Sequence, residues 1–338
     1  MDAVPASPGD LARVGRASAQ GWLRLISTIG VALVLVVIAS SAYLRLSQAG
    51  LSCPDWPSCY ARVASRAEIV GTAQRTARIA HRFAASAVGA ALIALLLITA
   101  TQRPRRTQQT ALALAGLLVS VALATIGAVM SETASRVPLP AVTVANLTGG
   151  FALLSLLWWL RLTTLPSQLP MPNPSAWVKL LAALALLATI CQIALGALVS
   201  AKFAALACPA FPLCGADVPD GALLFNLDPF TALAVGADGA IARPPTLAAL
   251  HWAHRLGAHV VLAFAALLAL AFIRDGRSAR RLGIAVASLI VIQLALGAGT
   301  VLAELPLTVV LAHNLVAALL LAALITANRH IHAAERAV

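Results

Sequence analysis

The sequence has 338 residues, of which 60% are hydrophobic and 11% charged, and its mean hydropathy is +0.90. An ordinary soluble domain carries about 45–50% apolar and about 25% charged residues, so a soluble globular enzyme and a disordered chain are both excluded. The formal charge of +12 fits basic residues that pin the cytoplasmic loops of a membrane protein, and it argues for no nucleic-acid partner.

The apolar runs are continuous for about 20 residues and do not alternate, which indicates helices rather than a barrel. Residues 1–22 read as a cytoplasmic tail. The first run, Leu25–Tyr43, is too long for a removed signal peptide. An outer connection follows from residue 46 to about 74, and the second run ends near Ala100. The third and fourth runs are Ala111–Met130 and Ala141–Leu160. A cytoplasmic linker covers 163–176. The fifth run, Trp177–Val199, contains Cys191, which reads as a packing residue. A second long outer connection covers 201–246. The last three runs are Leu247–Phe272, Leu282–Leu302 and Leu307–Ile325, and 328–338 forms a second cytoplasmic tail that holds His332 and, at its start, His330.

The basic residues set the orientation. The tight loops QRPRRTQQ and RDGRSARR fall on one side, while SETASRVPLP and AELPL on the other side hold one Arg between them. Eight spans with both termini inside is the consistent solution. The same frame places Cys53 and Cys59 (GLSCPDWPSCY) and Cys208 and Cys214 (ALACPAFPLCGAD) outside. Incidental thiols and a metal site are alternatives. Two C-x5-C pairs on an oxidising face favour disulfides over both.

The chain also repeats internally. The two cysteine motifs share a Cys-Pro-x-x-Pro-x-Cys skeleton. TARIAHR, ending at Arg82, pairs with LHWAHR, ending at Arg255. TVANLTGGFALL, around Asn146, pairs with VVLAHNLVAALL, around His313. Within the second half, QIALGALV at Gln192 and QLALGAGT at Gln293 echo each other. The predicted fold is therefore all-α: eight transmembrane helices arranged as two tandem four-helix bundles, 23–162 and 177–327. An even span count gives both the same orientation.

Intramembrane ionisable residues are costly and point to function. His254 stands about eight residues into its helix and His313 about seven, so both lie roughly 10–12 Å below the outer surface. Equal depth on two helices of one bundle suits a bis-histidine haem; the alternative is a pair of hydrogen-bonded core histidines. His251 lies one turn above His254, and His259 lies deeper on another face. In the first half the equivalent pair is His81 and Asn146, and Asn is a poor iron ligand. Arg75, Arg78 and Arg82 share a face beside His81. They either snorkel to the interface or clamp propionate carboxylates, and Arg255 would do the same in the second half. Glu132, Glu304 and Asp55 lie near outer ends, where each is a general-base candidate or a solvated loop charge.

The order and duplication of GLSCPDWPSCY, AHR at Ala80–Arg82, HWAHR, FPLC and LAHNL at Leu311–Leu315 resemble the haem A synthase family. The resemblance spans all but the tails. It implies that the C-terminal half binds haem b through His254 and His313. The N-terminal half would take haem O at His81, and its C8 methyl is oxidised to a formyl group through hydroxylated intermediates. It also implies that both outer cysteine pairs form disulfides, as they do in many members. The catalytic candidates are His81, Asn146 and Arg78. Two of these depart from the family: Arg78 stands where a Glu is common, and Asn146 where a His is common.

The implied partners are haem O and haem A, membrane lipid, a haem O synthase, an electron acceptor and cytochrome oxidase subunits. The implied location is a bacterial inner membrane. Two other readings compete: an inactive haem-binding electron-transfer or oxidase-assembly protein, and a transporter. Transport predicts Gly/Pro breaks near the membrane midplane, and the spans show none.

Overall fold

The structure is a computed structural model, and it describes residues 8–48, 71–102, 106–132, 139–165, 174–214, 227–237, 240–242 and 244–332. Eight long helices carry it: α1 (Pro8–Gln48), α2 (Thr72–Thr101), α3 (Thr107–Glu132), α4 (Pro140–Thr163), α5 (Ala176–Ala201), α6 (Leu247–Asp275), α7 (Arg277–Leu302) and α8 (Leu307–His332). Each is long and apolar enough to cross a membrane. In hydrocarbon a backbone must satisfy its own polar groups, and a helix does so within one segment.

The helix ends follow local chemistry. Pro140 opens α4, where its missing N–H costs nothing. Ser175 caps α5, its hydroxyl accepting from Val178 N at 3.4 Å. Gly276, at φ +136°, turns the chain between α6 and α7, a conformation that favours glycine. Two boundaries differ from the sequence reading. Residues 8–22, expected as tail, continue α1, and His330 and His332 lie in the last turn of α8.

The helices pack as two rings. α1 packs on α2, α2 on α3, α3 on α4, and α4 returns to α1; α5, α6, α7 and α8 close in the same way. Between the rings, α1 meets α8, while α4 meets α5 and α8. Exchanging α1 with α5 and α4 with α8 maps this set of contacts onto itself. One core holds Val34, Leu92, Leu154 and Leu157 with Leu321 of α8; a second holds Leu181, Ala265, Leu268, Phe272 and Leu324.

Helix association in lipid depends on close backbone approach at small residues. Gly283 on α7 shows this most clearly, because a Cβ there would stand 2.7 Å from the carbonyl oxygen of Ala269 and 2.9 Å from Phe272 Cβ. Gly283→Ala is expected to force α6 and α7 apart and cost about 1–3 kcal/mol, read as a lower thermal midpoint in detergent. An unchanged midpoint would contradict this packing. Cys191, expected inside the packing, is exposed on the outer face of α5 instead.

Candidate functional site

Between α5, α6, α7 and α8 lies a cavity of about 340 Å³, lined by His251, His254, Arg255, His259 and His313 and reached by Arg45 from α1. α6 starts at Leu247 and α8 at Leu307. His254 and His313 are thus the eighth and seventh residues of their helices, at closely matched depth on one cavity. Both ring systems meet an amide. Gln192 Nε2 is 3.1 Å from His254 Nδ1 and donates to His254 O at 2.7 Å. Gln293 Nε2 is 3.2 Å from His313 Nε2.

Buried polar atoms ordinarily have partners, so those without one mark places built for something else. Among the described residues, Gln192 Oε1, Gln293 Oε1, His313 Nδ1, His251 Nδ1 and Arg255 Nε are buried with no hydrogen-bond partner. All five belong to residues that line this cavity. Glycine supplies the width. A Cβ on Gly196 would stand 3.0 Å from His254 Cε1, and one on Gly297 would stand 3.3 Å from His313 Cε1. Two imidazoles at one depth, an apolar chamber and orphaned donors and acceptors fit a haem.

The other histidines of α6 hold different places. His251 is buried one turn above His254. His259 is exposed at the cavity edge, with Nδ1 2.9 Å from Arg255 O. Arg255 turns outward to the loop after α5. Its Nη1 donates to Ala210 O at 2.6 Å and reaches Pro212 O and Leu213 O, and its Nη2 donates to Cys208 O. The terminal nitrogens, expected to grip a propionate, hold the loop in this structure, and Nε is buried with no hydrogen-bond partner among the described residues.

That loop is tied by a disulfide between Cys208 and Cys214, whose Cα atoms are 4.8 Å apart and whose side chains are buried. Cys53 and Cys59 lie outside the described residues. The closed loop is short, so removing the bridge with Cys208→Ser is expected to cost about 2 kcal/mol by chain entropy. Alkylation without reductant should leave Cys208 and Cys214 unmodified in the mass spectrum; alkylated thiols at both would contradict the bridge.

Beyond the disulfide, the outer connection reaches the first ring. Pro229 O accepts from Ala141 N of α4 at 2.8 Å. Ile241 packs with Ala42 and Leu46 of α1 and with Leu305 in the α7–α8 turn. Asp228 is held below the usual carboxylate range by the Thr231 hydroxyl and the Phe230 N–H. Burial pushes the Lys202 ammonium down, opposed by Asp228.

In the first ring, His81 on α2 lies against α1, with Nδ1 3.3 Å from Ser40 Oγ. Arg75, Arg78 and Arg82 are exposed along the start of α2. Asn146 is exposed on α4. No hydrogen bond joins it to His81 among the described residues. Gly127 on α3 faces open space, for a Cβ there would meet nothing within 4 Å.

Gly196, Gly297 and Asn314 line the cavity but do not ionise, so a reading of ionisable groups passes over them; Arg45, which does ionise, lines it too and lies outside the histidine motifs that the sequence reading followed. Arg45 Nε donates to Ser200 Oγ at 3.0 Å, and the two residues are 155 apart in sequence. This is the offset between Cys53 and Cys208. Extending the cysteine alignment back from those residues pairs Arg45 with Ser200 and would have singled out both.

The fold and the cavity thus define an all-α, multi-pass membrane protein with a paired-histidine chamber. Residues 24–325 match the family described as "Cytochrome oxidase assembly protein" (COX15-CtaA), and the chain belongs to that family. It is 31% identical over 327 residues to a protein of Shewanella oneidensis named "Heme A synthase"; the match covers 91% of this chain and 95% of the relative.

Proposed function

We propose that this chain is a haem A synthase, an oxidoreductase that converts the C8 methyl of haem O to a formyl group and so provides haem A for cytochrome oxidase. The observation that carries the proposal is the paired-histidine cavity of α5–α8 in a chain whose residues 24–325 match the family. The two rings divide the work. Residues 177–327 hold a resident haem b through His254 and His313, and residues 23–162 receive haem O at His81. His254 and His313 would hold that haem between them, and the chemistry it would supply when bound is electron transfer.

The protein's own groups do the rest. Gln192 and Gln293 orient the ligand rings. Arg255 and the Cys208–Cys214 bridge hold a loop against the outer side of the chamber. In the first ring His81 would hold the substrate by a single imidazole, and one strong ligand would oppose release after reaction less than two. Arg75, Arg78 and Arg82 supply cations for the propionates at the outer end of α2.

The basic sequences QRPRRTQQ and RDGRSARR, each between two apolar spans, support a bacterial inner-membrane location with both termini cytoplasmic. A haem O synthase, an electron acceptor and cytochrome oxidase subunits are the partners this activity calls for. A second reading, a haem-binding electron-transfer or assembly protein without turnover, draws on Asn146 and Arg78, which replace the family's usual His and Glu. Haem extracted from cells with and without the gene separates the two. The synthase reading expects haem A to disappear and haem O to accumulate without the gene; unchanged haem A would contradict it.

A further inference from the structure

The two cavity histidines rest on the same four-residue device. On α5 the sequence runs Gln192-Ile-Ala-Leu-Gly196, and on α7 it runs Gln293-Leu-Ala-Leu-Gly297. Residues four apart lie one above the other on a helix face. The amide of each glutamine meets a ring nitrogen, at 3.1 Å for His254 and 3.2 Å for His313. The glycine one turn on lies beneath Cε1 of the same ring. A third glycine completes the arrangement on α6, where a Cβ on Gly257 would run into Gln192 Oε1. Its absence leaves the notch in which that amide sits.

We propose that Gln192 and Gln293 are positioning residues for the resident haem, each fixing the rotation and tautomer of its ligand imidazole while Gly196 and Gly297 make room for the ring. This rests on the haem reading of the cavity given above. A histidine that gives one nitrogen to a metal donates from the other, and the acceptor of that N–H sets the ring's orientation and basicity. A carboxamide carries both an acceptor and a donor, exchanged by a half-turn of its plane. Each amide carries the acceptor such a ligand needs, as the buried Gln192 Oε1 and Gln293 Oε1 with no partner among the described residues; at Gln192 the half-turn gives up the donation from Nε2 to His254 O at 2.7 Å in exchange.

The first ring lacks the device. The cysteine offset places Val37 and Ser41 where Gln192 and Gly196 stand. The run Leu123-Ala-Thr-Ile-Gly127 keeps the glycine of α7 but replaces its glutamine with Leu123. Neither Val nor Leu can accept a hydrogen bond. The positioning amides thus belong to the ring that retains its haem and are missing from the ring that must exchange one.

The test uses the full-length purified protein carrying its haem. Gln192→Leu, Gln293→Leu and the double variant should still show a low-spin b-type spectrum. Haem retention against an apoprotein acceptor should weaken roughly 10- to 100-fold, the usual cost of losing a ligand's supporting partner. The midpoint potential should rise, because a ligand that no longer donates to an acceptor is less basic and favours the oxidised iron less. Gln293→Glu keeps size and acceptor, so it should hold the haem as wild type does and move the potential the other way.

Leu variants with wild-type retention and potential would overturn the proposal, as would a folded Gln293→Glu protein that loses its haem as fast as Gln293→Leu. Failure of the underlying haem reading looks different. In that case the spectrum survives in both His254→Ala and His313→Ala.

Discussion

Replacing either His254 or His313 with Ala is expected to abolish the low-spin b-type spectrum of the purified protein. This is the largest spectroscopic effect expected of any single substitution. A low-spin haem needs a strong ligand on both faces, so losing one imidazole removes the state itself rather than a fraction of it. The geometry leaves little room for substitutes. Both histidines line one cavity at closely matched depth, each with a glycine beneath the ring and a glutamine at its edge. His251 is one turn above His254, and His259 is exposed at the cavity rim. His251→Ala and His259→Ala therefore keep the low-spin spectrum. Optical and paramagnetic-resonance spectra of the four variants check this, and a spectrum that survives in both His254→Ala and His313→Ala refutes the ligand assignment.

His81→Ala is expected to eliminate haem A formation in cells while the spectrum assigned to His254 and His313 stays in place. The two effects separate because His81 lies in the other ring, on α2 against Ser40 of α1. On the proposed reading, losing it would remove the one imidazole that holds the substrate. The companion change, Asn146→His, works in the opposite direction. It gives the first ring a second imidazole, so it should add a tightly held haem and slow turnover. Asn146 stands exposed on α4 without a hydrogen-bond partner among the described residues, so the substitution disturbs no buried network. Extracted haems resolved by chromatography report both results. Full haem A formation in His81→Ala would place the substrate site elsewhere.

The parts of the fold legible in the sequence are those that hydrophobic length decides. All eight spans are there, and the starts of α6 at Leu247 and α8 at Leu307 coincide with the apolar runs, which is why the depth of His254 and His313 could be read off by counting. Hydropathy says nothing about helix that continues into water. Residues 8–22 extend α1 without being an apolar run: Leu, Ala, Arg and Gln favour helix there, against Gly9, Gly15 and Gly21, which do not.

The facing of a side chain around a helix is harder to read still. Cys191 counts as apolar and sits in a span, yet it faces outward. Arg255 follows His254, where the sequence reading places a propionate clamp, and in the structure its terminal nitrogens find carbonyls of the Cys208–Cys214 loop. Those acceptors are backbone atoms brought near only by the fold, so no side-chain pattern announces them. The QIALG and QLALG echo is plain in the sequence, whereas its meaning depends on α5 and α7 turning those faces to α6 and α8.

The haem content of the purified wild-type protein, made in cells that also produce haem O, tests the central claim most directly. Extraction and chromatography should give close to one haem B per chain, retained through extensive washing. They should also give haem O and haem A in smaller amounts that wash out. Haem B alone under these conditions would contradict the division into a resident and an exchanging site, and a protein without haem would contradict the whole account.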